Sequence, residues 1–188
     1  DLCALIERTG DELATVLLPG VQYLTGQAFD LEVITQRAHG VGSTVGFDLA
    51  HAIGNTPLAL HDWDVDFAVW CSYKYLNAGP GAIGGCFVHE RHARSLDLPR
   101  FAGWWGHDKG SRFQMPSTFQ PIPGAEGWQL SNPPILAAAP LLASLPLFDA
   151  EYPAIESTGE RAEGLSAKQA FAFVFVAIDE VGLHEKGD

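Results

Sequence analysis

The stretch VDFAVWCSYKYLNAGPGAIGG, residues 65–85, decides the fold that this sequence predicts. Its apolar run over residues 67–71 contains aromatic and β-branched residues, which is typical of a buried β-strand. A turn rich in glycine and proline follows at residues 77–81, and a second apolar run over residues 82–88 predicts another strand. The stretch therefore indicates two neighbouring strands of a sheet, with polar residues at the end of the first.

Lys74 follows the first of these strands, at the position where open α/β sheets place their ligands. A lysine in an apolar, partly dry pocket is nucleophilic, as an amine must be to form a Schiff base with an aldehyde cofactor. On local sequence alone, a surface lysine just beyond a strand end is the simpler interpretation, because a lysine is rarely buried without a reason.

Asp48 lies in the C-terminal half of another apolar segment, TVGFDLAH at residues 44–51. An aspartate inside an apolar run costs free energy unless it is paired. Pyridoxal phosphate offers such a partner, because a carboxylate holds its ring nitrogen protonated and the ring then acts as an electron sink. Asp48 and Lys74 together predict a pyridoxal phosphate site, although two charges at strand ends also occur by chance.

Length and composition favour one compact domain. The chain has 188 residues and 47% hydrophobic content, enough for a sizeable core. Its net charge of −12 disfavours nucleic acid and anionic membrane surfaces as partners. Three cysteines without a CxxC pattern indicate a reducing compartment, the cytoplasm. The longest apolar stretch, residues 135–148, is too short and too interrupted by proline to span a bilayer.

The first part of the chain predicts a β-α-β unit. Residues 13–18 form an apolar strand, and Asp30 is a good N-cap for a helix running to about His39. With the strand at residues 44–49, this order requires a parallel pair and a right-handed connection. The helix has three apolar residues on one face: Leu31, Ile34 and Ala38.

A long apolar helix is predicted after Pro133, with Ser131 or Asn132 as its cap. Its apolar face contains Leu136, Leu141, Leu145 and Phe148. Pro140 and Pro146 lie inside it, and because an interior proline costs roughly 3 kcal/mol we expect kinks or breaks there.

Other segments are less informative. Residues 90–96 predict a short helix, residues 97–130 have no clear element, and residues 171–178 suit a strand or a helix. His89 and His92 have loose metal-ligand spacing, but no further ligand cluster accompanies them. We therefore interpret both histidines as surface residues and predict no metal site.

Four motifs, in order along the chain, resemble kynureninase, a fold-type-I hydrolase that depends on pyridoxal phosphate. The motifs are GFDLAHAIGN (46–55), HDWDVDFAVWCSYKYLNAGPG (61–81), GWWGH (103–107) and SNPPIL (131–136). The resemblance extends from about Leu13 to Tyr152. It implies an α/β fold, the central part of the large domain of fold-type-I pyridoxal phosphate-dependent transferases, with a mixed, mostly parallel sheet and flanking helices.

The resemblance also implies roles for individual residues of the cofactor site. Lys74 would form the Schiff base with pyridoxal phosphate, and Asp48 would pair with the pyridine nitrogen. His51 would line the cofactor site. Tyr73 would bind the phosphate and relay protons.

Three further residues lie in motifs that reach the site from the neighbouring subunit of a homodimer in the family. Trp104 would touch the cofactor phosphate, and Asn132 and Ser131 would lie on the substrate side. Without the resemblance, a core histidine, a packing tryptophan and a helix cap would be the simpler interpretations of His51, Trp104 and Asn132.

The implied activity is hydrolysis of L-kynurenine, or its 3-hydroxy form, to anthranilate or 3-hydroxyanthranilate and L-alanine, in tryptophan catabolism and NAD biosynthesis. We expect a partial pyridoxal phosphate-binding large domain over residues 1–152 and a poorly matched segment over residues 153–188. The family's upstream phosphate-binding segment and its later, smaller domain have no counterpart here. We therefore expect a fragment that is poorly active by itself. Two alternatives stay open: another fold-type-I enzyme, such as an aminotransferase or cysteine desulfurase, and a non-catalytic fragment that pairs with a complete subunit.

Overall fold

The computed structural model describes residues 1–93 and 95–156. The predictions for residues 171–178 and for most of the segment 153–188 lie outside the described residues. In chain order, the elements are α1 (Leu2–Thr9), β1 (Thr15–Pro19), α2 (Leu31–Gly40), β2 (Thr44–Asp48), β3 (Phe67–Cys71), β4 (Gly84–Val88), α3 (Glu90–Ala93) and α4 (Ile135–Glu156). Short 3-10 helices lie at Gly10–Glu12, Arg112–Gln114 and Ala125–Trp128.

The four strands form one mixed sheet in the order β1-β2-β3-β4. β1 pairs with β2 and β2 with β3 in parallel, whereas β3 and β4 are antiparallel. The carboxyl ends of the three parallel strands therefore meet at one edge of the sheet, which we call the carboxyl edge. This mixed, mostly parallel α/β sheet with flanking helices confirms the predicted fold class.

The core is centred on β2, whose residues Val45 and Phe47 are fully buried. Gly46 lies between them, and a β-carbon there would come within 2.1 Å of the Phe67 ring on β3. Because only glycine leaves that space, the ring of Phe67 packs directly over the β2 backbone. The close contact brings β2 and β3 together where the apolar sequence of both strands predicts a core.

Helix α2 begins as the sequence predicts, because the Asp30 side chain accepts a hydrogen bond from the Val33 amide at 3.0 Å. Its predicted apolar residues, Leu31, Ile34 and Ala38, are all buried. The prediction of its apolar face is therefore confirmed. Other boundaries differ by a few residues, since strand ends depend on pairing rather than on local composition.

Helix α4 runs through Pro140 and Pro146, so of the kinks or breaks expected at these prolines the breaks are absent. A proline ring fixes φ near a helical value, and its cost is chiefly one lost hydrogen bond and a clash with the preceding turn. Tertiary packing outweighs that cost here, because Leu141 and Leu145 between the prolines are only 2% exposed. None of the helices in residues 1–93 and 95–156 has the length and apolar character needed to cross a membrane.

The N-terminal end of α4 differs from prediction as well. Leu136 is 88% exposed, so it does not belong to the buried face. Further along, the Ser144 hydroxyl donates to the Leu76 carbonyl in the segment after β3. Helix α4 is thereby attached to the carboxyl edge of the sheet.

Asp66, just before β3, is the buried carboxylate of the opposite edge, with 5% exposure. One carboxylate oxygen contacts His39 Nε2 at 2.8 Å and accepts from the Val45 amide at 2.7 Å. The other oxygen contacts Arg91 and His92. This single side chain therefore ties α2, β2 and α3 together.

His89, predicted to lie at the surface, is buried, and that prediction is wrong. Its backbone amide donates to the Asp66 carbonyl at 2.9 Å, and its ring stacks on His61 with centroids 4.8 Å apart. His89 directly follows strand β4, and the pairing of β4 with β3 places it at the Asp66 edge. Local sequence does not show this pairing. Within the part of the chain that the structure describes, no group of three or more His, Cys, Asp or Glu residues could hold a metal ion.

Electrostatics make the Asp66 edge sensitive to acid. Burial by itself would raise the pKa of Asp66, but the hydrogen bonds from His39, His92, Arg91 and the Val45 amide outweigh it and hold the pKa well below the usual range. Because the folded state binds the proton less tightly than the unfolded state, this carboxylate stabilises the fold above about pH 3.8, and the stabilisation is lost as pH falls.

We predict that Asp66→Asn lowers the free energy of unfolding near pH 7 by roughly 3–5 kcal/mol, because it breaks a buried charged network. Urea unfolding followed by tryptophan fluorescence measures the loss. The difference from the parent chain should narrow at about pH 3, where ionised Asp66 contributes less.

Asp62→Asn is the matched control, because the Asp62 side chain is 73% exposed and, among residues 1–93 and 95–156, forms an ion pair with His61 alone. It should change the free energy of unfolding by about 0.5 kcal/mol or less. Equal effects of the two substitutions, or an Asp66→Asn effect independent of pH, would contradict the assignment.

Candidate active site

Lys74 lies at the carboxyl edge, three residues beyond β3, and is half-buried. Its Nζ atom is 3.0 Å from Nε2 of His51. The neighbouring residues Ser72 and Leu76 are buried and anchor the segment, so the residues between them project towards solvent. The Asn77 amide donates to the Lys74 carbonyl at 3.1 Å and closes a turn.

His51 reaches Lys74 from the segment after β2. The amides of Ala52 and Ile53 both donate to the Leu49 carbonyl at 2.9 Å, which makes a single helical turn. Leu49, Ala52 and Ile53 are buried, so the turn is anchored by apolar packing. His51 is half-buried on this turn, and its imidazole faces the lysine on the neighbouring segment.

Asp48, the last residue of β2, is exposed rather than buried, which corrects the expectation of a carboxylate inside the apolar run. Its carboxylate accepts a hydrogen bond from the Ala50 amide at 2.8 Å. Its backbone carbonyl accepts from the Gly20 amide at 2.9 Å, in the segment after β1. Among the described residues, no group is hydrogen-bonded to the other carboxylate oxygen, which lies at the same edge as Lys74.

Aromatic rings surround the lysine and histidine. Lys74 Nζ lies 5.8 Å from the centroid of the Tyr73 ring, which is half-exposed. Tyr23 stacks on His51 with ring centroids 6.2 Å apart, and Tyr75 contacts His51 edge-on at 6.1 Å. Sequence reasoning missed Tyr23 and Tyr75. The available signal was that Tyr23 follows the first parallel strand and so reaches the same edge.

The remaining predicted site residues lie apart from this cluster. Trp104 is 40% exposed and makes an edge-on contact with Phe113 at 5.5 Å, while Ser131 and Asn132 are exposed before α4. Across residues 1–93 and 95–156, no hydrogen bond, ion pair or ring contact joins any of the three to Lys74 or His51. The structure thus brings together Tyr73, Lys74 and His51, places Asp48 at the same edge, and leaves Trp104, Ser131 and Asn132 outside.

The basic residues of the 97–130 region have structural roles in this chain. Arg112 is 3% exposed, lies over the Trp105 ring at 4.6 Å and donates to the carbonyls of Trp105 and His107. Arg100 lies over the Trp128 ring at 4.5 Å. A cation–π contact and hydrogen bonds to backbone carbonyls hold each guanidinium group, while Nε and Nη1 of Arg100 and Nε of Arg112 are buried without a hydrogen-bond partner among the described residues.

The donor set of the carboxyl edge suits one kind of ligand. A primary amine can bind an aldehyde, an exposed carboxylate can hold a protonated ring nitrogen, and a tyrosine hydroxyl can contact a phosphate. Lys74, Asp48 and Tyr73 offer these groups on segments that follow adjacent parallel strands. Their chemistry fits pyridoxal phosphate, the cofactor that the sequence predicts.

Comparison with known proteins agrees with this fold. The model of the aminotransferase class-V family matches residues 1–106. The chain therefore belongs to the aminotransferase class-V family. Among curated proteins, the kynureninase of Myxococcus xanthus (strain DK1622) is 65% identical over 165 residues, which cover 87% of this chain and 39% of that protein.

The kynureninase of Xanthomonas oryzae pv. oryzae (strain PXO99A) is 66% identical over 160 residues, covering 85% of this chain and 38% of that protein. The chain thus spans about two fifths of the length of these relatives. The cystine C-S lyase C-DES, solved with its reaction product cysteine persulfide, has a TM-score of 0.65 at 25% identity, covering 78% of this chain and 39% of that one. The cysteine desulfurase CsdA from Escherichia coli shares the fold, with a TM-score of 0.64 at 20% identity, covering 79% and 35%.

Proposed function

We propose that this chain is the cofactor-binding part of a pyridoxal phosphate-dependent kynureninase. The enzyme would hydrolyse L-kynurenine, or its 3-hydroxy form, to anthranilate, or 3-hydroxyanthranilate, and L-alanine. The observation that carries the proposal is the contact of Lys74 Nζ with His51 Nε2 at the edge that also holds Asp48. Identities of 65% and 66% to the two bacterial kynureninases support the same activity.

Pyridoxal phosphate, when bound, supplies an electron sink for the negative charge that develops on the substrate. Lys74 would bind the cofactor aldehyde and move the proton at the substrate Cα. The carboxylate of Asp48 would hold the proton on the pyridine nitrogen, and the hydroxyl of Tyr73 would contact the phosphate. His51 would orient the lysine amine, to which it is hydrogen-bonded. In the overall reaction the oxygen of water would add to the ketone carbon and the Cβ–Cγ bond would break, so that the aromatic part leaves as a carboxylic acid and Cβ takes up a proton to become the methyl group of L-alanine.

The proposal includes a homodimer in which Trp104, Ser131 and Asn132 serve the site of the partner. Their separation from the Lys74 cluster within one chain supports this assignment. The large-domain assignment of residues 1–152 is part of the same proposal, as are the pathway roles in tryptophan catabolism and NAD biosynthesis. The three cysteines are free, which supports a cytoplasmic location.

A cysteine desulfurase is the main alternative within this fold. That chemistry needs a mobile cysteine that is readily ionised. Burial raises the pKa of Cys86 to about 11, and Cys71 is held within β3. Both positions favour kynureninase over desulfurase. The second alternative is a fragment that pairs with a complete subunit and has no catalysis of its own, and the labelling experiment below distinguishes it from an enzyme.

We predict that Lys74 is the residue that binds the cofactor. Incubation of the chain with pyridoxal phosphate, reduction with borohydride and peptide mapping should find the pyridoxyl group on Lys74. Lys74→Arg, which retains the positive charge, should abolish the labelling because its guanidinium is not nucleophilic. Labelling of Lys109 at the same level, or unchanged labelling of Lys74→Arg, would refute the assignment. Labelling without kynurenine turnover would identify the non-catalytic alternative.

We predict that Asp48→Asn impairs catalysis and spares the fold. The asparagine oxygen can still accept from the Ala50 amide, but the amide cannot hold the ring nitrogen protonated. In a chimaera that replaces the matching segment of the M. xanthus kynureninase with this chain, kcat should fall about 10²–10³-fold. The free energy of unfolding should change by about 0.5 kcal/mol or less. Asp62→Asn is the control, and turnover near that of the control would make Asp48 a structural residue only.

We predict that the active site is shared between subunits. In the same chimaera, chains with Lys74→Ala and chains with Asn132→Ala should each be inactive alone. Mixed dimers should recover part of the anthranilate production, because one of the mixed sites has both residues intact. Absence of recovery in heterodimers verified by mass spectrometry would show that each site is built from one chain.

A further inference from the structure

The His51 imidazole lies between two tyrosine rings that come from different segments. Tyr23, from the loop after β1, stacks on it at an interplanar angle of 30°. Tyr75, from the segment after β3, meets it at 65°. The third neighbour is Lys74, whose Nζ lies 3.0 Å from Nε2. The side chain that contacts the lysine is therefore bounded on two sides by aromatic rings.

Tyr23 is 69% exposed, but the loop that carries it is ordered by its own hydrogen bonds. The Gln22 side chain accepts from the amides of Leu24 and Thr25, and the Gly26 amide donates to the Gln22 carbonyl at 2.8 Å. A bridge between Val21 and Ala28 closes the base of the loop. The backbone thus fixes the Tyr23 ring over His51 without a large buried contact.

Tyr75 is fixed by close packing between the turns after β2 and β3. Gly54 has a φ of +73°, and a β-carbon there would come within 2.9 Å of the Tyr75 carbonyl oxygen. The next residue, Leu76, is buried and anchors the segment from the other side. The backbone of Tyr75 is therefore placed against the same turn that carries His51.

We propose that Tyr23 and Tyr75 are positioning residues that hold the His51 imidazole against the amine of Lys74. Aromatic pairs favour defined relative orientations, so the two rings restrict the rotation of the imidazole. When the Lys74 amine donates this hydrogen bond, Nε2 of His51 is the acceptor and the imidazole proton lies on Nδ1. The role of Lys74 in this inference rests on the proposed function. The contacts among the side chains of Tyr23, His51, Lys74 and Tyr75 are independent of that function.

The test measures the reactivity of Lys74 without cofactor or substrate. Brief treatment of the full chain with acetic anhydride, followed by peptide mass spectrometry, gives the acetylation rate of Lys74 relative to Lys109. The amine must leave its hydrogen bond to His51 before it can attack the anhydride. His51→Ala should therefore raise the relative rate about 2- to 10-fold, the factor that a typical net hydrogen bond represents.

Tyr23→Leu should produce part of the same increase, whereas Tyr23→Phe, which retains the ring, should behave like the parent chain. Leu24→Ala is the matched control, because Leu24 lies beside Tyr23 at the loop tip and is 75% exposed. It should leave the rate unchanged. Tyr75→Leu should act in the same direction as Tyr23→Leu.

A double-mutant cycle separates positioning from simple shielding of the lysine. In a His51→Ala background, Tyr23→Leu should have no further effect if the ring acts through the imidazole. An equal increase in both backgrounds would mean that the tyrosine only covers Lys74 and would overturn the inference. An unchanged rate for Tyr23→Leu in the parent background would overturn it as well.

A nuclear magnetic resonance spectrum of histidine-labelled protein gives an independent readout. The Tyr23 ring current should shift the His51 carbon-bound protons, and Tyr23→Leu should remove that shift while Tyr23→Phe preserves it. Failure of pyridoxal phosphate to label Lys74 would refute the proposed function and leave these results intact. The two proposals can therefore fail separately.

Discussion

The parallel register of the first three strands is the constraint on which the site depends. Pro19 pairs with Asp48 and Asp48 with Val69, so the segments that follow β1, β2 and β3 leave the sheet side by side. Each segment contributes side chains to one cluster, although these residues are far apart in the chain. A primary amine, an imidazole and a carboxylate thus lie at one edge of the sheet. No single segment supplies all three groups.

The two edges of the sheet use charged groups in opposite ways. At the Asp66 edge, opposite the carboxyl edge, the carboxylate of Asp66 is buried and its hydrogen bonds are all to protein groups. This carboxylate therefore contributes to stability. At the carboxyl edge, Asp48 is exposed and its carboxylate accepts one backbone hydrogen bond. The difference follows from burial: a buried charge must be paired within the fold, whereas an exposed one is available to a ligand.

Sequence predicts those features that local chemistry determines. The strand Phe67–Cys71 and the cap at Asp30 follow from apolar composition and from one side-chain acceptor, and the structure has both. Sequence misjudged His89 because the pairing of β3 with β4 buries it, and pairing depends on the whole sheet. The contact of Tyr23 with His51 was missed because it depends on the pairing of β1 with β2, which local sequence does not show. Tyr73 and Lys74 were found because they lie side by side in one motif.

The Gly46–Phe67 contact also bears on how the chain finds its fold. Parallel strands are joined through distant parts of the sequence, so their alignment forms slowly and can slip by a residue. Only one position on β2 lacks a side chain under the Phe67 ring, between the fully buried Val45 and Phe47. A slip in either direction would place the ring against one of those side chains. The packing of the Phe67 ring over Gly46 therefore exists in one alignment of the two strands, and it is a property of the chain that needs no ligand.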